Sequence, residues 1–397
     1  MAKYTGVVKM NCRSVFVYSD QYETYKFRDD HPFNQIRVNL TYDLLKKANA
    51  LDDKDVIKPR YATDEEILLV HDPKYVEIVK KASHSELTAL ETFEFGIGTE
   101  DTPAFRNMHE AASLLVGGTL QAVDAVLSGE YNHAVNLGGG LHHGFKRKAS
   151  GFCVYNDAAI AIKYIREKTN YKVLYVDTDA HHGDGVQWIF YDDPNVCTLS
   201  IHETGRYLFP GTGNTNERGH LDGYGYSFNI PLDAFTEDDS FLTVYETALK
   251  EIAEYFQPDI IITQNGADAH AYDPLTHLSC TMKIYEKIPK LAHEIAHTYC
   301  NGRWIALGGG GYDIWRVVPR AWAQLWCIAS GHELLTGELP SSWIEKWQNK
   351  SSEPLPTNWH DESNIYEPIP RKNEITEKNN HTLEKALQYI RNKNHSI

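Results

Sequence analysis

Short apolar runs punctuate the chain at SVFVYS (14–19), HAVNLGGG (133–140), KVLYVDTD (172–179), VCTLSI (196–201), DIIITQNG (259–266) and RWIALGGG (303–310). Gly, Asn or Asp bounds most of them. They are rich in β-branched and aromatic residues and nearly continuous in apolar character, which predicts central strands of a parallel sheet covered on both faces. Helical periods lie between them. In FLTVYETALKEIAEYF, Phe241, Tyr245, Ala248, Leu249, Ile252 and Phe256 recur every three or four residues. The stretch from Met108 to Leu127 behaves alike and stops at Ser128-Gly129, a helix-ending signal. Strands alternating with helices predict an α/β fold, an open and mainly parallel sheet with helices on both faces.

The polar residues fall into step with these strands. LGGGLHH, VDTDAHHGDG, QNGADAH and LGGGGYD each follow an apolar run. In open parallel sheets ligands bind at the carboxyl edge, so four clusters from four strand ends are expected to meet in one crevice. After Ser330 a Pro-, Asn- and Glu-rich connection, PSSWIEKWQNKSSEPLPTNW, leads to an amphipathic helix carrying Leu383, Ala386, Leu387 and Ile390 on one face. That helix is expected to dock on the main domain. The division predicted is a main unit over 1–330 and an extension over 331–397 that belongs to the same domain.

Composition narrows the partners. With 397 residues and 42% hydrophobic content, the chain can bury a sizeable core. A net charge of −15 counts against gripping nucleic acid, which needs clustered Lys and Arg. The six cysteines include no CxxC pair and read as reduced, buried thiols. MAKYTGVVKMNC lacks the apolar core of a signal peptide, and no run of about twenty apolar residues stands out to span a bilayer. A cytoplasmic protein without a membrane partner is expected; oligomeric state is left open.

The chemistry sits in VDTDAHHGDG. If the strand runs on, Asp177, Asp179 and His181 share one side. Asp179 and His181 are candidate metal ligands, and Asp268 in NGADAH is the natural third, leaving a fourth position for water as catalytic sites require. His142 and His143 are consecutive, and their side chains diverge, so acid–base work suits them better than joint ligation. Asp177 and Asp184 are then available to orient them. Taken alone, a His pair after three glycines reads as structural just as readily. Tyr312 ends a glycine run and could present its hydroxyl to an oxyanion, or simply pack. His182 is left for packing or hydrogen bonding.

LGGGLHHGF, SGFCVYNDAAIA, VLYVDTDAHHGDGVQ, FPGTG, NGADAHAYDPL and LGGGGYD, in this order, resemble the zinc-dependent histone deacetylase family over about residues 5–330. The likeness is to the class I type and most closely to its bacterial branch. It implies an arginase-like fold and hydrolysis of the amide of acetyl-lysine, or other short acyl-lysines, in protein substrates. It implies Asp179, His181 and Asp268 as zinc ligands. His142 and His143 become the tandem histidines backed by Asp177 and Asp184, with His143 the general base and acid and Tyr312 the oxyanion donor. Gly151, Phe152, Phe209 and Leu275 match walls of the acyl-lysine channel, and Gly310 matches a further substrate contact. Asp101 matches a rim aspartate that binds substrate backbone. Ser200 and Ile201, beside Asp177, Asp179 and His181, match a potassium site, and Arg37 matches the arginine of an internal channel for acetate release. Substrates expected by this likeness are metabolic enzymes such as acetyl-CoA synthetase.

There are departures. Leu141 stands where eukaryotic class I relatives carry Trp, and Leu275 where some carry Met. His270, two residues after Asp268, replaces an apolar residue; a core role is expected for it over ligation. An Asp₂His donor set also admits Fe²⁺ beside Zn²⁺. A manganese ureohydrolase of the arginase type is the rival on the same fold, but Gly183 and His270 replace two carboxylates that a dinuclear site needs. An acetylpolyamine amidohydrolase differs only in substrate. A catalytically inert acyl-lysine reader is the remaining alternative.

Overall fold

The computed structural model describes residues 13–363 and 365–394. The N-terminal reading, including Cys12, lies outside them; Cys153, Cys197, Cys280, Cys300 and Cys327 are free and buried. The strands are β1 (Ser14–Val17), β2 (Val56–Ile57), β3 (His133–Asn136), β4 (Val173–Asp177), β5 (Val196–Glu203), β6 (Ser227–Leu232), β7 (Ile260–Gln264) and β8 (Trp304–Leu307). They form one eight-stranded sheet in the order β2-β1-β3-β8-β7-β4-β5-β6. All its neighbours are parallel. Every residue of β1, β3, β4, β5, β7 and β8 is buried, as unbroken apolar runs require when helices cover both faces.

The expected six strands are present. Two more complete the edges: β2 spans only Val56–Ile57, and β6 reads SFNIPL, whose Pro231 is tolerated on an edge strand. The helix Asp238–Phe256 buries the whole predicted stripe from Phe241 to Phe256. One reading is corrected. The helix Met108–Leu127 is long and apolar enough, by length and composition, to cross a membrane. It is a core helix: Ala111 to Leu120 are all buried, and it packs on β1, β3 and the helix Asp157–Lys168.

The stretch read as a connection after Ser330 is instead anchored by tryptophans. Trp343 and Trp347, on the helix Ser341–Trp347, are buried. Their indole N–H groups donate to Leu40 O at 3.1 Å and to an Asp43 carboxylate oxygen at 2.8 Å, the partners a buried indole needs. The helix Lys372–Asn394 lays Leu383, Ala386, Leu387 and Ile390 against β6 and the helix Asp238–Phe256.

Candidate active site

Four neighbouring central strands, β3, β8, β7 and β4, end where LGGGLHH, LGGGGYD, QNGADAH and DTDAHHGDG begin. β4 stops at Asp177, so the residues beyond it are loop, and hydrogen bonds rather than pleat set their directions. Asp179 N donates to Asp177 Oδ1 at 3.1 Å, and His181 N to Asp179 Oδ1 at 3.0 Å, curling the loop over its own carboxylates.

Asp179, His181 and Asp268 come together, with one candidate ligand atom from each lying within 4.8 Å of the others. His181 Nδ1 stands 2.9 Å from Asp268 Oδ2 and 3.1 Å from Asp179 Oδ1. The remaining oxygens are held in place. Asp179 Oδ2 accepts from Gln264 Nε2 and from Gly310 N, both at 2.6 Å, and Asp268 Oδ1 accepts from Ala180 N at 2.8 Å. A Cβ on Gly310 would lie 2.3 Å from Asp268 Oδ2 and 2.7 Å from Asp179 Oδ2, so only glycine leaves this cradle open. Two carboxylates packed around one imidazole in a buried site form a donor set that suits a divalent cation.

The tandem histidines lie beside it. His142 Nδ1 is 2.8 Å from Asp177 Oδ2, which also accepts from Tyr175 Oη at 2.9 Å. His143 Nδ1 is 2.7 Å from Asp184 Oδ1. Their loop is fixed from behind by Asp157, whose carboxylate accepts from Gly140 N and Leu141 N. Burial alone would discharge both rings. For His142 it is outweighed by Asp177, Asp179 and Asp184, which lift the ring to about 9. For His143 burial prevails, reinforced by the neighbouring His142 and His181 rings, and holds it well below the ordinary range. The two rings are thus pushed in opposite directions. Gly183 bears on the arginase comparison: a Cβ there would lie 2.3 Å from Asp177 Oδ2, so no carboxylate fits at that position in this loop.

The Tyr312 ring lies edge-on to His181, centroids 6.2 Å apart, and to Phe152 at 5.8 Å. Burial, then Asp179 and Asp268, push its hydroxyl well above the usual phenol range, which keeps it a proton donor. Phe209 meets the His143 ring at 5.1 Å and is itself exposed, as a residue at a pocket mouth is. Leu275 N donates to Asp273 Oδ1, and Tyr312 N to the other oxygen of the same carboxylate. Asp101, exposed, accepts from Gly151 N at 2.8 Å. Arg37 is buried behind the glycine run and donates to Gly311 O at 2.9 Å. Ser200 pairs with Asp177 across β4 and β5, and Ile201 follows it in the buried strand. The Ser200 hydroxyl sits 2.8 Å from His202 Nδ1.

His182 turns away from the cluster, bonding Thr212 Oγ1 at 2.8 Å and Gln187 Oε1 at 3.2 Å. His270 is also committed elsewhere: its Nδ1 accepts from Tyr272 N, and its Nε2 meets Asp361 Oδ2 at 3.0 Å. Asp361 was not anticipated; nothing in NWHDES marks it. Gln264 and Asp157 were visible in QNGADAH and VYNDAAIA but carried no assignment there.

Residues 31–329 match the family described as histone deacetylase domain. The chain is 64% identical over 382 residues to the acetoin utilization protein AcuC of Bacillus subtilis (strain 168), covering 95% of this chain and 97% of that one. It is 47% identical over 367 residues to AcuC of Staphylococcus aureus (strain MRSA252), covering 92% and 94%. Among solved structures, an HDAC homolog complexed with SAHA superposes with a TM-score of 0.82 at 32% identity, over 92% of this chain and 99% of that chain. An HDAC homolog from Aquifex aeolicus gives 0.81 at 30% identity, with the same coverage.

Proposed function

The chain belongs to the histone deacetylase family, hydrolases on an arginase-like fold, and we propose that it is a metal-dependent lysine deacetylase acting on acyl-lysine side chains of metabolic enzymes in acetoin utilization. The observation that carries this reading is the pairing of two carboxylate-backed histidines with the buried Asp179–His181–Asp268 cluster.

Asp179, His181 and Asp268 would hold the metal. When bound, a divalent ion supplies a Lewis acid that polarises a carbonyl and lowers the pKa of water. The chain's own groups supply the rest. With Nδ1 turned to Asp184, His143 keeps its lone pair on Nε2 and takes a proton from the attacking water. The water oxygen adds to the acyl carbon. The Tyr312 hydroxyl donates to the resulting oxyanion, and His142, which Asp177 biases toward its charged form, favours the same charge. His143 then returns its proton to the lysine nitrogen as the C–N bond breaks, releasing amine and carboxylate. Phe152 and Phe209 would flank the apolar lysine stem, Leu275 would border it, and Asp101 would take backbone N–H groups at the rim. Zn²⁺ fits the donor set, with Fe²⁺ its competitor, and potassium would sit at Ser200 and Ile201.

Turnover of an acetyl-lysine peptide panel tests this, with and without chelator and with a hydroxamate inhibitor. Chelator-sensitive, hydroxamate-inhibited release of acetate from peptides is expected. Inertness of metal-loaded protein on every peptide, or faster hydrolysis of an acetylated polyamine, would overturn the reading.

A further inference from the structure

At the opposite, amino-terminal edge of the sheet lies a second cluster of metal-ligating side chains, His133, His293 and His297, again with one nitrogen from each within 4.8 Å of the others. The residues arrive from two elements. His133 opens β3, beside Trp304 at the start of β8. His293 and His297 lie one turn apart on the helix Met282–Tyr299, in the stretch His-Glu-Ile-Ala-His. Two histidines at that spacing share one helix face, the arrangement by which helices present a pair of imidazoles to zinc. The spelling alone carries nothing; the third imidazole, from another element, makes it a site.

The orientation of His133 favours ligation. Its Nδ1 donates to Ala329 O at 2.6 Å, which fixes the tautomer and leaves the lone pair on Nε2. Such a carbonyl contact on the far nitrogen is the usual support of a metal-binding imidazole. The Nε2 atom points at His297 Nε2, 3.1 Å away. Two nitrogens on one tetrahedral ion, with bonds of about 2.05 Å, lie about 3.3 Å apart, so the gap needs almost no adjustment. The His293 ring closes the third side, with centroids 4.8 Å from His133 and 4.5 Å from His297. His133 is fully buried, whereas His293 and His297 are half-buried. The trio gathers at the start of β3, whereas His142 and His143 follow its far end.

We propose that His133, His293 and His297 form a second metal site, taking a borderline divalent cation of the zinc type on three imidazole nitrogens, with water in the fourth position. Occupancy would tie the helix Met282–Tyr299 to the start of β3.

The test uses untagged, full-length, metal-stripped protein dialysed against micromolar Zn²⁺ and counted by elemental analysis. Wild type is expected to bind two equivalents, and His293→Gln/His297→Gln one, with peptide turnover within about twofold of wild type. In an Asp179→Asn/His181→Gln background the remaining equivalent should raise the melting temperature, because a ligand that binds only the folded state stabilises it. That shift should vanish when the two helix substitutions are added. Anomalous scattering should place an ion between the three rings. Equal zinc content with and without His293 and His297, or no zinc-dependent shift in the active-site background, would overturn the proposal.

Discussion

Removal of the Asp361 carboxylate should destabilise the protein severely, although it lies far along the chain from every active-site motif. Asp361 Oδ1 accepts from Arg320 Nη2 at 2.9 Å, and Oδ2 accepts from His270 Nε2 at 3.0 Å and Met282 N at 2.7 Å. The Arg320 side chain is 2% exposed and that of Asp361 6%. Arg320's other donors reach only backbone carbonyls, of Arg316, Asn358 and Trp359. Burial opposes the carboxylate's charge, but His270 and Arg320 outweigh it and hold Asp361 well below the usual carboxylate range. Asp361→Ala therefore leaves a buried guanidinium without a counter-charge, which costs about 3–5 kcal/mol. Asp361→Asn loses the charge too and turns an amide NH2 toward an N–H donor, but it keeps one acceptor oxygen, which should recover about 1 kcal/mol of that loss. Against a total stability of roughly 5–15 kcal/mol, the first is a large fraction. Urea unfolding followed by tryptophan fluorescence should rank wild type above Asn above Ala at constant slope. An Ala variant with the wild-type midpoint would show that Arg320 and His270 find other partners, and the reasoning would fail.

Tyr312→Phe should lower kcat by about 10²–10³ with zinc content unchanged, since it removes an oxyanion donor and no ligand; loss of zinc would mean its role is misassigned. His143→Ala should retain metal and show almost no hydrolysis in the peptide assay, and near-normal turnover would remove it as the base. Gly310→Ala should bind one equivalent of metal fewer than wild type, because its Cβ would press within 2.3 Å of Asp268 Oδ2; elemental analysis decides. Acid should weaken the fold through His71, which burial lowers to about 4 and whose Nε2 accepts from Asn156 N. An unfolded histidine binds its proton near 6.5, so this stability is full above about pH 6.5. It falls by on the order of 3 kcal/mol as pH drops toward 4. Urea midpoints between pH 7 and pH 5 should fall less steeply in His71→Gln, and equal slopes would refute the assignment.

The interior strands were legible because burial on both faces leaves an unbroken apolar run, as in IIITQ and VLYVD. The edges were not. VI is too short to stand out, and SFNIPL carries a Pro of the kind a sheet tolerates at an edge. The candidate ligands could be seen because Asp and His crowd the ends of those strands. The groups that hold them could not: Gln264 and Asp157 are ordinary polar residues until the fold brings Asp179 and Gly140 to them. The segment of Trp343 and Trp347 reads as a connection because their partners, Leu40 and Asp43, lie some three hundred residues earlier. Sequence periodicity reports local burial and is blind to contacts across that distance.

That same distance has a consequence for how the protein is made. Ala180 bonds Asp268 across 88 residues, Gly310 bonds Asp179 across 131, and His270 waits for Asp361 across 91. A chain emerging from the ribosome at about 5–20 residues per second exposes Asp179 and His181 many seconds before the sheet can close around them. Parallel pairing of such remote segments is slow. The complete Asp179–His181–Asp268 cluster can therefore exist only after β8 and the turn at Gly310 have been made, late in the synthesis of the chain.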